Sequence, residues 1–122
     1  MVTLLVTVAA GVGAIVRYLV DGAVQRRTRH AFPAGTLAVN LSGSFLFGLL
    51  AGLTLHHGLA TSTAAVLGAG FAGGYTTLST WAWESVALAE RGARNAAMVN
   101  VIGSLGLGMA AGAAGLGLAL LG

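Results

Sequence analysis

The sequence predicts an all-α membrane protein of four transmembrane helices, the third of them broken, and three observations lead there. Hydrophobic residues make up 57% of the 122 residues and charged residues only 7%, with a single proline, which is far from the composition of a soluble domain. Mean hydropathy is +0.89. Four apolar stretches each reach the roughly 20 residues a helix needs to cross hydrocarbon. Inside the third, the run GFAGGYTTLSTWAWE from Gly70 to Glu84 places glycines and hydroxyls where a membrane helix should be continuous.

The spans are expected at about 2–24, 34–55, 61–88 and 96–121, as one four-helix domain over residues 1–122. The first has no basic n-region ahead of it, since Arg17 lies deep within it, so it reads as a retained helix rather than a cleavable signal. It ends at the basic segment Arg26, Arg27 and Arg29. Pro33 suits the first turn of the second span, where its missing N–H would be unpaired anyway. His56, His57 and Gly58 punctuate the next junction, and Glu90, Arg91, Gly92, Arg94 and Asn95 the last. Loops this short make successive helices antiparallel and leave no room for a soluble domain.

Glycine spacing carries information of its own. Asn40, Ser44, Gly48 and Gly52 recur every fourth residue in the second span, as do Asn100, Ser104, Gly108 and Gly112 in the fourth. Residues four apart share a helix face, so each helix bears a stripe running from polar to small. Val-Asn-x-x-Gly-Ser occurs at Val39–Ser44 and again at Val99–Ser104, the form a two-helix repeat would take. Small residues let membrane helices approach, which accounts for the glycines. Asn40 and Ser104 ask for more, because an amide or hydroxyl in hydrocarbon needs a partner or a wet path.

Six arginines stand against Asp21, Glu84 and Glu90. In a membrane protein this balance speaks to topology, and no basic run carries the interleaved aromatics of a nucleic-acid site. Arg17 and Glu84 lie within spans, which makes both functional candidates; Arg17 could equally snorkel to an interface and Glu84 could cap or pair. His30, His56 and His57 cluster at span ends without a second ligand pair at useful spacing, so they read as interfacial. Gly68, Gly70 and Gly73 spell G-x-G-x-x-G, but no strand precedes them and no βαβ unit surrounds them. Serines and histidines occur without a third triad partner, and nothing points to an enzyme. With no cysteine, disulfides and thiolate metal sites are excluded.

Irregular backbone at membrane depth persists only where it lines a cavity or holds an ion, so the Gly70–Glu84 break marks a transport or conduction site. Three motifs then converge: Gly13-Ala14-x-x-Arg17-Tyr18; Gly35-Thr36-Leu37-x-Val39-Asn40-x-x-Gly43-Ser44-Phe45; and Gly70-Phe71-x-Gly73-Gly74-Tyr75-Thr76-Thr77-x-Ser79-Thr80 with Glu84. Together they resemble the Fluc (CrcB) fluoride channels over almost the whole chain. The resemblance implies an antiparallel, inverted dimer in the cell (inner or plasma) membrane, with two narrow pores, a structural sodium ion at the dimer centre, and passive export of fluoride that relieves its toxicity. Carried over by residue, it implies that the carbonyls of Gly73 and Thr76 face the sodium, with glycine easing the break. Oxygen ligands suit a hard cation. Asn40 would donate to fluoride and Ser104 would belong to a hydroxyl track, with Thr77 and Ser79 as further hydroxyls. Such donors can replace fluoride's tightly held water.

Two departures bear on that expectation. The family usually reads Thr-Thr-Phe-Ser-Thr-Phe, its phenylalanines turning ring edges toward the ion; here Leu78 and Trp81 stand at those positions. Trp81 keeps an aromatic edge and adds an indole N–H, whereas Leu78 has neither. The arginines also lie in the first and third loops, with no Lys or Arg in the second loop or at the C-terminal end. The positive-inside rule puts both arginine loops in the cytoplasm and both termini outside. A homodimer of opposed subunits needs an almost unbiased chain, so this bias predicts a heterodimer with an oppositely oriented homologue that supplies the missing phenylalanine. In that pair this chain could be a non-conducting partner subunit. A small four-span proton-coupled exporter shares the length and opposed dimers, but it needs an embedded acid in the first helix, where Arg17 stands instead. A purely structural assembly protein would explain the glycine stripes but not the Gly-Gly-x-Thr-Thr break.

Overall fold

The computed structural model describes residues 1–122 and is helical throughout, with no strand. Helix α1 covers Val2–Thr28 and α2 covers Ala34–His56. Helix α3 spans 61–75, with a π-helical stretch at Ala65–Ala72. Helix α4 covers Leu78–Glu90, and α5 covers Arg94–Leu121 with a second π stretch at Val99–Gly103. Only 19 of 122 residues are buried, and long apolar side chains such as Leu4, Val8, Ile15 and Leu19 face outward. An apolar exterior of this extent matches a lipid or partner surface rather than water.

Three helices, α1, α2 and α5, are long and apolar enough to cross a membrane. The third segment is bent. Its interruption falls at Thr76 (φ −77°, ψ 159°) and Thr77 (φ −146°, ψ 122°), both in ordinary extended geometry. Gly73, expected to ease the break, is instead regular helix at φ −63° and ψ −42°. A Cβ built there would meet nothing nearer than the Gly68 carbonyl at 3.6 Å. The expectation that glycine at this position makes the break possible is therefore corrected: the backbone leaves the helix three residues later, at residues any side chain allows.

Boundaries moved modestly elsewhere. Helix α1 carries on through Arg26 and Arg27, as basic residues in a last turn complement the helix dipole. It ends where Arg29 turns left-handed at φ 50°. Pro33 caps α2 from just outside rather than opening its first turn, its carbonyl accepting from Leu37 N at 3.2 Å. Gln25 fastens this loop: Nε2 donates to the carbonyls of His30 and Phe32 at 2.9 and 3.0 Å, and Oε1 accepts from Gly35 N at 3.1 Å.

The glycine stripes do pack helix on helix. The α2–α5 pair forms the most extensive contact in the subunit. A Cβ on Gly48 would strike the Gly112 carbonyl, one on Gly52 the Ala119 side chain, and one on Gly115 the Phe45 carbonyl. Contacts advance together along both helices, so α2 and α5 run parallel. The same holds for α1 and α3, where Gly70 meets Val6 and Ala9, Gly74 meets Ala10, and Gly13 meets Phe71 and Tyr75. One cavity touches the first loop and the end of α4, joining Gln25 and Pro33 to Arg91. At the opposite end, His57 Nε2 contacts the Ala119 carbonyl. The five arginines other than Arg17 thus lie at one end of the molecule.

Candidate functional site

The interruption needs partners for the backbone groups it frees, because an unpaired peptide group away from water is costly. Asn40 supplies them. Its Oδ1 accepts from Thr77 N at 2.8 Å and its Nδ2 donates to the Thr77 carbonyl at 2.9 Å. The side-chain amide thereby pairs with the Thr77 peptide groups as a neighbouring strand would. Because Thr77 N turns to Asn40, it does not close a helical bond to the Gly73 carbonyl. The Thr76 carbonyl accepts from Arg17 Nη1 at 3.4 Å, while Thr76 N and Oγ1 both donate back to Ala72 at 2.9 Å.

Thr77 then starts α4. Its Oγ1 accepts from Thr80 N at 3.2 Å, an N-cap bond, and donates to Thr80 Oγ1 at 3.0 Å. The expected free hydroxyl of Thr77 is thus committed to capping. Ser79 lies outward, exposed, and reaches only Thr77 Oγ1 at 3.5 Å.

A cavity of about 440 Å³ lies between α2, the break, α4 and α5, walled by Asn40, Ser44, Phe47, Thr76, Thr77, Leu78, Trp81, Ser104, Leu105, Gly108 and Met109. Five of the six expected pore residues therefore share one wall; Ser79 is the exception. Ser44, which the sequence reading placed in the polar-to-small stripe and in the second motif without a pore role, adds a hydroxyl. Trp81 contributes its ring but not its N–H, which donates to the Asn100 carbonyl at 3.1 Å. That corrects the expectation of an indole donor free for an ion. Leu78 is 74% exposed in the subunit, so most of it awaits lipid or a second chain.

Arg17 lines a separate cavity of about 140 Å³ with Tyr18, Asp21, Thr36, Thr77 and Thr80. It is neither snorkelling nor bare, since it reaches the break. Glu84 sits mid-helix in α4, not at a cap: Oε1 accepts from Thr36 Oγ1 at 2.9 Å, and Oε2 is buried without a partner. It borders a third cavity, of about 360 Å³, with Asp21, Gln25 and Arg91. Thr77 borders the first two cavities and Asp21 the second and third.

Sequence reasoning missed a polar cluster at the π stretch of α5, where Asn100, 1% exposed, donates to Ser85 at 2.9 Å. It also missed Tyr75, whose hydroxyl pairs with Ser42 Oγ at 2.8 Å while its ring stacks on Phe71 at 5.8 Å. A clue for Ser85 existed in its spacing from Trp81, one helical turn away.

Apolar helices with an outward-facing hydrophobic surface, and an interrupted segment beside a polar cavity, describe a multi-pass membrane protein. Residues 4–116 match the model of the family described as CrcB-like protein, Camphor Resistance (CrcB), and the chain belongs to that family. It is 47% identical over 118 residues to a Fluoride-specific ion channel FluC 1 of Leifsonia xyli subsp. xyli, covering 97% of this chain and 85% of that one. A FluC 2 of Mycolicibacterium paratuberculosis is 46% identical, covering 95% and 92%. A FluC of Rhizobium meliloti is 40% identical, covering 94% and 93%. These relatives are named as channels, not enzymes.

Proposed function

We propose that the chain is a subunit of a fluoride channel, that α3 and α4 together make its third membrane crossing, and that the cavity between Asn40, Ser44, Trp81 and Ser104 is its share of the ion's route. The observation that carries this reading is the Asn40–Thr77 pair. It stabilises an extended break inside the bilayer and leaves the second Asn40 amide hydrogen beside the cavity, with the Ser44 and Ser104 hydroxyls on the same wall. Hydrogen-bond donors at close quarters are what an anion needs when it sheds water. The guanidinium of Arg17, next to the break, adds positive potential on the way. In the third cavity Asp21 and Glu84 outnumber Arg91, so it is not assigned to the anion's route.

A structural sodium ion fits the oxygens present. The Gly73 carbonyl has lost its helical donor, and the residue is exposed, open to a second subunit. The Thr76 carbonyl keeps a lone pair beside Arg17. Backbone carbonyls suit a hard cation, and when bound it would join two opposed subunits at their breaks. The one-ended arginines and the exposed Leu78 favour a heterodimer with an oppositely oriented homologue over a homodimer.

The purified chain in liposomes, followed with a fluoride electrode and with chloride as control, tests the function. Selective fluoride release that needs no proton gradient supports a conducting homodimer. Silence from folded protein, cured by adding the homologue, supports the heterodimer; silence in both removes the channel reading. Stripping sodium should lower the dimer fraction.

A further inference from the structure

The polar cluster around Asn100 has a fixed direction. Ser85 Oγ donates its single hydrogen to the Trp81 carbonyl at 2.8 Å. It can therefore only accept from Asn100, whose Nδ2 lies 2.9 Å away. With its NH₂ held at Ser85, the amide turns Oδ1 to Ser104, and Ser104 Oγ donates to it at 3.4 Å. The Asn100 backbone carbonyl meanwhile accepts from Trp81 Nε1 at 3.1 Å. Each step constrains the next, and the last residue, Ser104, lines the cavity.

The consequence concerns polarity. A serine has one hydrogen, so a Ser104 hydroxyl aimed at Asn100 presents lone pairs to the cavity, the wrong face for an anion. An anion held by Ser104 must first draw that hydrogen away from Oδ1. The separation of 3.4 Å is longer than the 2.7–2.8 Å typical of hydroxyl donors, so this is the weakest link of the cluster.

Resting on the channel reading, we infer that Asn100 is a positioning residue that competes with the ion for the Ser104 hydrogen and so keeps that contact transient. Conduction requires binding weak enough to release, and buried Asn100 supplies the restraint without touching the ion. Ser85 shares the role, because it holds the amide in this orientation.

The test compares Asn100→Ala, Ser85→Ala and Ser104→Ala, singly and combined, for half-saturating fluoride and maximal rate in liposomes. Asn100→Ala frees the Ser104 hydrogen. Ser85→Ala lets the amide turn over, so that Nδ2 donates to Ser104 and the hydroxyl hydrogen points into the cavity. Both should lower half-saturation by about two- to twelvefold, the range of one modest hydrogen bond, and reduce the maximal rate. Neither should shift it when Ser104 is alanine. Unchanged half-saturation in both single variants, or equal shifts with and without Ser104, overturns the inference. A readout independent of flux is the Asn100 side-chain amide resonance of the purified protein under fluoride titration. It should move in the wild type and not in Ser104→Ala. A wild type that stays silent both alone and with the homologue added removes the channel reading alone, and an amide indifferent to fluoride overturns the role of Asn100.

Discussion

Replacing Asn40 separates the brace from the ion's route. Thr77 is buried, and both of its peptide groups are satisfied by the Asn40 amide. Asn40→Ala orphans the two. Each orphaned buried group costs about 1–3 kcal/mol, so the variant should lose about 2–6 kcal/mol, a large share of the margin that keeps a typical domain folded. Asn40→Asp keeps the acceptor for Thr77 N but faces the Thr77 carbonyl with an oxygen in place of the donor. It should lose about 1–3 kcal/mol while placing negative charge in the cavity. Thermal melting in detergent, followed by the monodisperse fraction, should rank wild type above Asp above Ala. Fluoride efflux should vanish in both, by charge in one and by loss of the break in the other. Wild-type melting for Asn40→Ala would refute the brace, and retained flux in Asn40→Asp would remove Asn40 from the route.

The adjacent glycines give a contrast: a side chain at Gly74 would collide with the Ala10 carbonyl, whereas one at Gly73 has room. Gly74→Val should therefore abolish monodisperse protein, while Gly73→Ala keeps helical content by circular dichroism and, if the opposed subunit approaches there, loses only the dimer. Gly48→Val drives into the Gly112 carbonyl and should destabilise the α2–α5 seam by about 1–3 kcal/mol, read as a lower melting temperature. Arg17→Gln keeps a donor for the Thr76 carbonyl but removes the charge. Melting should stay near wild type while fluoride flux falls; flux equal to wild type would remove the electrostatic role of Arg17.

Hydropathy made α1, α2 and α5 legible, because length and apolarity are local properties of a sequence. The glycine stripes were legible as packing for the same reason: a period of four on one face survives folding unchanged. The break was visible in Gly-Gly-x-Thr-Thr, yet its position was not, since it is set by Asn40, 37 residues before Thr77. Local propensity blamed Gly73, whereas a distant amide decides where the peptide groups leave the helix. Trp81 shows the same limit. Its ring could be placed at the cavity from spacing, but the fate of its N–H depends on the Asn100 carbonyl of another helix. Thr77 was read as a hydroxyl near the site and serves as a cap, although Thr77-x-x-Thr80 had the spacing for one.

The bent third segment also bears on how the protein is made. Neither half is long enough to span hydrocarbon alone. Residues 61–75 emerge from the ribosome after α1, which already offers the groove for Gly70 and Gly74. Helix α4 is only half provided for: Thr36 and Asn40 of α2 already meet Glu84 and Thr77, but Trp81 and Ser85 are anchored by Asn100, which is translated later. Until α5 arrives, the newborn chain holds a half-crossing with its polar edge unsatisfied, and biogenesis is complete only when the last helix closes over it.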